Sequence, residues 1–487
     1  MPRDPDTKQF LAGHARTTSR SWHPLDGLVC SLSGNGVATD YAVRLLRSLG
    51  IDIEHRAGID DLHPALAWAR SGAMALTGSP DQPGRMCPAP IASCLEGTLK
   101  ALGALGGDDL IRPLPDCSLL GERAAIAGLR RGGRVSAGGG CRLLSGANGW
   151  LALSLARPDD WQLLPAWLES GPLDSWAEVA DLVGNLPVDA LLERGRMLGL
   201  AIATATTSTA QHPPRPAQWC RLLERSRRAD ARVRRRGTPL VVDLSSLWAG
   251  PLCAQLLGTL GARVVKVESL GRPDGARRGP AAFDDLMNGG KASVALDFSS
   301  PGGIDKLRRL LLVADIVVES ARPRALQQLG IDASAILAEN PRLTWLSITG
   351  HGRTGDQADW IAYGDDAGVA AGLTSLMLDA TGEMMFCGDA IADPLTGVHA
   401  ALAAWSAYRA GGGVLVSLSL IEVIRHCLAF APTTSLEATR RRWRRWQDLA
   451  VAAGGSEQRA AIRSIAAPAR PLGADNTTVL TAFGIPC

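Results

Sequence analysis

Residues 239–269 read PLVVDLSSLWAGPLCAQLLGTLGARVVKVES. Leu240–Leu244 and Arg263–Val267 are short runs rich in β-branched residues, of the kind that form buried strands. Between them a small-residue turn opens Gly250–Leu260, whose apolar residues recur at three- and four-residue spacing, the mark of a helix packed on one face. Further on, Ser293–Leu296, Ile316–Val318 and Leu343–Ile348 read as strands, and Pro301–Val313 and Ala325–Glu339 as helices. Such alternation predicts an α/β fold whose large domain is a Rossmann-like parallel sheet with helices on both faces.

Length and composition bound the rest. A chain of 487 residues exceeds one ordinary core and predicts two or three domains. With 46% hydrophobic and 20% charged residues it is globular. A net charge of only +3 excludes a broad nucleic-acid-binding surface. No apolar run approaches the ~18 residues of a membrane helix, and the opening MPRDPDTKQFLAGHAR lacks the apolar stretch of a secretion signal. The ten cysteines are scattered, without a C-x-x-C pair or a histidine at zinc-ligand spacing. They predict free thiols in a cytoplasmic protein with no metal site and no membrane contact.

The chain also carries a degenerate internal repeat. Val29–Ser33 followed by Arg44–Gly50 parallels Val241–Ser245 followed by Gln255–Gly261, with a one-residue slip. Pro90-Ile91-Ala92-Ser93-Cys94-Leu95-Glu96-Gly97 parallels Ala390-Ile391-Ala392-Asp393-Pro394-Leu395-Thr396-Gly397, residue n against n + 300 without a gap. Residues 134–205 differ in kind: Arg134–Ser136, Cys141–Ser145 and Trp150–Ala156 read as strands, with Ala147-Asn148-Gly149 as a turn and helical patterns after them. The expected divisions are 1–110, a degenerate α/β segment; 111–205, a smaller α+β domain; 206–238, a linker and basic stretch; 239–430, the large domain; and 431–487, a helical tail. TTSTAQHPPRPAQ at 206–218 has linker composition, and Arg221 to Arg236 reads as a solvated helix face.

Taken together, 239–269 and CGDAIADPLTGVHAAL at 387–402 resemble the family III CoA-transferases, the formyl-CoA and carnitine-CoA transferase type. The resemblance implies that Asp393 is the catalytic nucleophile, that a coenzyme A thioester is the substrate with no separate cofactor, and that a carboxylic acid is the acceptor. Chemically, a carboxylate held partly desolvated against a thioester carbonyl is a sufficient nucleophile, whereas an aspartate at a helix start could otherwise be an ordinary N-cap. The CoA-contacting positions of the family fall on Glu268, Asp274, Arg277, Asn288, Lys291 and Arg322. Gly138-Gly139-Gly140 matches a glycine-rich loop that covers the active site in some members, or is a flexible connector. Gly397 fits either close approach at the reacting centre or helix packing.

Departures from the family pattern are equally specific. Ser269, Gly289, Ala292 and Gln328 stand where cations are common, and Ala321 where an aromatic is usual. The racemases of the superfamily pair the aspartate with a histidine, and here Tyr363 occupies that position. A phenol with a pKa near 10 is a poor base at neutral pH, which favours transfer over racemisation. A third reading is a catalytically weak CoA-binding scaffold. Family members are interlocked homodimers; because each half of this chain lacks what the other has, an intramolecular pseudo-dimer is expected, with a homodimer as the alternative.

Overall fold

The computed structural model describes residues 22–107, 110–205, 217–226 and 238–486. The linker read at 206–218 lies outside the described residues except for Ala217 and Gln218, as does most of the basic stretch after Ser226.

The described strands are β1 (Leu28–Ser33), β2 (Ile51–Arg56), β3 (Cys141–Gly146), β4 (Gly149–Ser154), β5 (Ala201–Ala205), β6 (Arg221–Arg225), β7 (Leu240–Asp243), β8 (Arg263–Ser269), β9 (Ala292–Leu296), β10 (Ile316–Glu319), β11 (Thr344–Thr349) and β12 (Val414–Ser419). Seven of them form the main sheet in the order β6-β12-β11-β10-β7-β8-β9. Every neighbouring pair in it is parallel except β6 with β12. Strand addition reverses direction between β10 and β7, which is the switch point of a Rossmann-type sheet, where ligands bind beyond the carboxyl ends of the strands. Both faces are buried, as continuous apolar strands require. Val241, Ile316, Val318 and Leu346 point into one core, and Val242, Val317 and Trp345 into a second, beneath Leu307, Leu310 and Leu337.

The N-terminal half covers the first of these faces. Its β1 and β2 are parallel, joined by helix Val37–Ser48. Helix Ile91–Gly106 packs on that helix just as helix Ala392–Arg409 packs on helix Ala249–Thr259, and the two long helices also pack on each other. A Cβ at Gly97 would collide with the Ala38 carbonyl oxygen and come within 3.0 Å of Tyr41 Cβ. At Gly397 it would meet the Ala249 carbonyl oxygen at 2.8 Å and Leu252 Cβ at 3.1 Å. The residues met in the first contact, Ala38 and Tyr41, correspond at an offset of 211 to those met in the second, Ala249 and Leu252, so the repeat is a repeat of packing. The n + 300 match also reaches back to Pro64 and Gly364, which open helices Pro64–Arg70 and Gly364–Ala371.

Four expectations are corrected. Arg221–Arg225 is not a helix face but an edge strand, which satisfies the open side of β12 and carries its charges where an edge tolerates them. Arg134–Ser136 forms only isolated bridges, and the third strand of the small antiparallel sheet is β5. The stretch Ala325–Glu339 breaks at Gly330 (φ +73°) into helices Pro323–Gln328 and Ala333–Glu339. Residues 431–487 are helical only over Leu436–Ala452 and Asn476–Ala482, with one short turn at Gly455–Glu457. At the far edge Asp475 accepts the Ser293 N–H at 2.8 Å, and Asn476 exchanges bonds with both Ala295 backbone groups, so side chains complete β9 where no further strand pairs.

Candidate active site

Asp393 lies in the first turn of helix Ala392–Arg409. Its carboxylate accepts the backbone N–H of Ala249, the first residue of the helix that follows β7. The carboxylate is therefore at the switch point, against a helix N-terminus. The backbone here is tight. Ala390 has φ +42°, a strained value for a residue with a side chain, and its N–H is held by Asp365 Oδ1 at 2.8 Å. A Cβ at Gly364 would collide with Asp393 Oδ2 and with the Ala390 carbonyl oxygen. Gly364 is thus the glycine the carboxylate needs, and the sequence reading missed it. Gly397, one of its candidates, packs helix on helix instead.

Four carboxylates gather here. Asp389 is fully buried and takes both oxygens to Arg123, with Nε at 2.9 Å from Oδ2. Asp366 Oδ1 accepts the Ser154 hydroxyl at 2.8 Å and the Tyr363 N–H at 2.9 Å. Burial pushes the Asp393 carboxyl up to about 7; the Arg123 charge opposes this, and Asp365 adds to it. Asp366 is likewise pushed up to about 7 by burial. Burial, then Asp389, raises Asp365. Perturbed carboxyls packed this closely mark sites where ionisation is put to use.

Much of the wall comes from the N-terminal half. Arg123 belongs to helix Glu122–Ala127, and its guanidinium lies over the Trp248 ring, 5.2 Å from the centroid. Gly138 stands beside it: a Cβ there would be 3.4 Å from an Arg123 nitrogen and 4.0 Å from Asp389 Oδ1. The Gly138-Gly139-Gly140 loop is thereby placed next to the carboxylates, with Gly139 and Gly140 exposed. The back of the small sheet packs Cys141, Leu143 and Ala152 on Val369, Met384 and Phe386.

The residues read as CoA contacts divide. Lys291 is buried, and its three donors go to Asp243 Oδ2 at 2.8 Å, the Pro251 carbonyl at 2.9 Å and Asn288 Oδ1 at 3.1 Å. No N–H is left for a phosphate, so Lys291 is a structural cation and that expectation is corrected. Asn288 is buried between Lys291 and Asp284. Arg277 forks onto Glu268, whose Oε1 also receives the Asp274 N–H, and Asp274 pairs with buried Lys266 at 2.8 Å. These groups brace the loop after β8. Arg322 is partly exposed, and its neighbours Arg324, Arg157 and Arg272 add to burial in lowering its pKa. It lines a cleft of about 580 Å³ together with Arg157, Arg196, Arg324, Asp359 and Trp360. Arg196 lies flat on Trp360, 3.6 Å from the ring centroid. Burial pushes up the phenol of Tyr363, the residue before Gly364, and the charges of Arg157 and Arg272 oppose that rise. Arg157 and Arg196 come from the small domain, where no local pattern marks them.

The nearby histidines are not partners of Asp393. His399 is pushed down to about 3 by burial and is held between Tyr41 Oη at 2.9 Å and the Leu395 carbonyl at 2.7 Å. His351 is pushed down to about 4 by burial and stacks edge-on to Trp360.

Residues 239–454 match the family model of CoA-transferase family III. The chain is similar to succinate–glutarate CoA-transferase of Agrobacterium fabrum, 33% identical over 39% of this chain and 52% of that one. It is also similar to human succinyl-CoA:glutarate CoA-transferase (30%; 39% and 46%) and to formyl-CoA:oxalate CoA-transferase of Rhodopseudomonas palustris (31%; 37% and 45%). A solved CaiB/BaiF family protein from Brucella suis is 30% identical, with a TM-score of 0.37, over 46% of this chain and 61% of that one. The chain spans about half the length of the curated relatives it matches.

Proposed function

We propose that the protein transfers CoA between an acyl-CoA and a carboxylic acid, with Asp393 as nucleophile. The observation that carries this reading is the Asp393 carboxylate itself, desolvated, backed by Gly364 and held by the Ala249 N–H. An Asp393 oxygen attacks the thioester carbonyl, the C–S bond breaks, and CoA thiolate leaves an aspartyl–acyl mixed anhydride. The thiolate returns to the aspartyl carbonyl and expels the first acid, giving an aspartyl-CoA thioester. The acceptor carboxylate attacks that thioester and releases the thiolate, which then attacks the acceptor acyl carbonyl and frees Asp393. Each tetrahedral oxyanion needs fixed donors, which we assign to backbone N–H groups under the Gly138–Gly140 loop.

The arginine cleft suits the phosphates of CoA better than Lys291 does, because Arg322 and Arg196 present planar forks. Glu268, Asp274 and Arg277 brace the loop after β8, and Asn288 holds Lys291. Racemisation lacks support, since the two imidazoles nearest in sequence are neutral and engaged elsewhere. We also read the chain as a fused pseudo-dimer, cytoplasmic, with one competent site built from both halves. The protein, incubated with a panel of acyl-CoAs and trapped with hydroxylamine, is expected to carry one adduct per 51.2 kDa chain, on Asp393. No adduct with any acyl-CoA would sink the transferase, and a second adduct within residues 1–205 would sink the single site.

A further inference from the structure

We propose that Arg123, contributed by the N-terminal half, is a positioning residue that keeps the Asp393 carboxyl ionised and so sets the pH range in which it can attack. The proposal rests on the transferase reading and goes beyond it, because no feature of residues 239–454 supplies this charge.

Charges of both signs surround Asp393. From its own segment Asp393 is faced by Asp389 and from helix Gly364–Ala371 by Asp365, with Asp366 beside Asp365 and the Tyr363 phenol at the start of that helix. From the small domain Cys141 lies beside Asp365 and Asp366, its thiol pushed up by burial and therefore neutral. Arg157 and Arg272 act on Tyr363. Arg123 is the cation that acts most strongly on Asp393, second only to burial. Burial and two carboxylates, Asp365 and Asp389, disfavour the ionised nucleophile, and one guanidinium opposes them.

Its geometry is fixed from three sides. Two donors fork onto Asp389, four residues before Asp393, which makes the pair rigid. The guanidinium plane rests on Trp248, immediately before the Ala249 whose N–H binds Asp393. On the third side Gly138 lies against it, where a Cβ would come within 3.4 Å of an Arg123 nitrogen. Arg123 thus neutralises Asp389 while still lending charge to Asp393, and Asp389, Asp365 and Asp393 in turn hold Arg123 protonated.

The test reads the carboxyl without needing turnover. In infrared titration of the intact protein, the protonated-carboxyl band that Asp393→Asn removes is followed against pH; in the parent it is expected to disappear near pH 7. Arg123→Gln is expected to move that titration up by about one unit or more, and Asp389→Asn, which removes a like charge, to move it down. Arg123→Lys keeps the charge and stays close to the parent. A purely structural role for Arg123 predicts no such opposition. With a working acyl-CoA the acid limb of kcat/KM follows, so that Arg123→Gln loses roughly tenfold at pH 6 and recovers at pH 9. Infrared shifts without transfer would remove the transferase reading and leave Arg123 its role. An Arg123→Gln titration that coincides with the parent overturns the proposal. If that variant does not fold, an Asp389→Asn titration at or above the parent's overturns it instead.

Discussion

At positions 300 apart, the two copies keep Gly72 with Gly372, Cys87 with Cys387, Ile91 with Ile391, Leu95 with Leu395 and Gly97 with Gly397. Over the same stretch Asp365, Asp366, Asp389 and Asp393 face Ala65, Leu66, Ala89 and Ser93. What is shared is packing, down to the two thiols Cys87 and Cys387, which meet each other. What differs is every carboxylate of the site. Their surroundings differ to match. The small sheet covers helix Gly364–Ala371, whereas helix Leu436–Ala452 covers Pro64–Arg70 and Ala460 wedges between Gly72 and Gly121. Clustered carboxylates, of which Asp366 and Asp389 are fully buried, are costly to keep, and only the second copy keeps them. The other copy has become scaffold, and it lends Arg123 and the small domain to its partner.

The harshest way to break this comparison is to remove the one carboxylate that should matter. Asp393→Ala is expected to lower kcat/KM by roughly 10⁴-fold or more, as loss of a nucleophile does. Asp393→Glu, which shifts the oxygens by about 1 Å, is expected to cost on the order of 10²-fold. Thermal unfolding should barely move in either variant, since the carboxyl is held by one backbone N–H. Steady-state kinetics beside melting curves check this, and near-parental turnover in Asp393→Ala would refute the assignment.

Next in size is a stability effect. Lys291→Met leaves Asp243 buried with only Lys266 and Ser245 to balance it. Asp243 is lowered to about 2 against the cost of burial, chiefly by Lys291 and then Lys266. Breaking such a pair is expected to destabilise by about 3 kcal/mol, read as a lower urea midpoint. KM for acyl-CoA should stay within about twofold. A raised KM with an unchanged midpoint would return Lys291 to the CoA site.

This lysine shows where sequence reasoning stops. The strands from β7 to β11 were legible because each is a short apolar run between helices of clear period, and Asp393 because its segment is distinctive. Whether Lys291 faces solvent or Asp243 depends on how the turn at Asn288–Lys291 docks beneath Pro251, which no spacing encodes. Arg123, Arg157 and Arg196 were illegible for the same reason. Each acts across the boundary between the halves, and an arginine on a short helix looks the same whether it meets water or a carboxylate 266 residues away. β6 was misread because its charges dominate RLLER, while the demand of the open β12 edge is visible only in three dimensions.

The smallest expected effect is the sharpest on the comparison. Ser93 occupies the nucleophile's place in the first copy, is 1% exposed, and its hydroxyl has no partner among the described residues. Burying an unpaired hydroxyl costs about 1–3 kcal/mol, offset here by the packing of its oxygen. Ser93→Ala should therefore leave kcat and KM unchanged and raise stability slightly, by about 0.5 kcal/mol, because the site it belonged to is closed. Melting temperature and kinetics on the same preparation decide the matter. A drop in kcat with unaltered stability would mean that the first copy still takes part in the chemistry, and the division between scaffold and site would have to be redrawn.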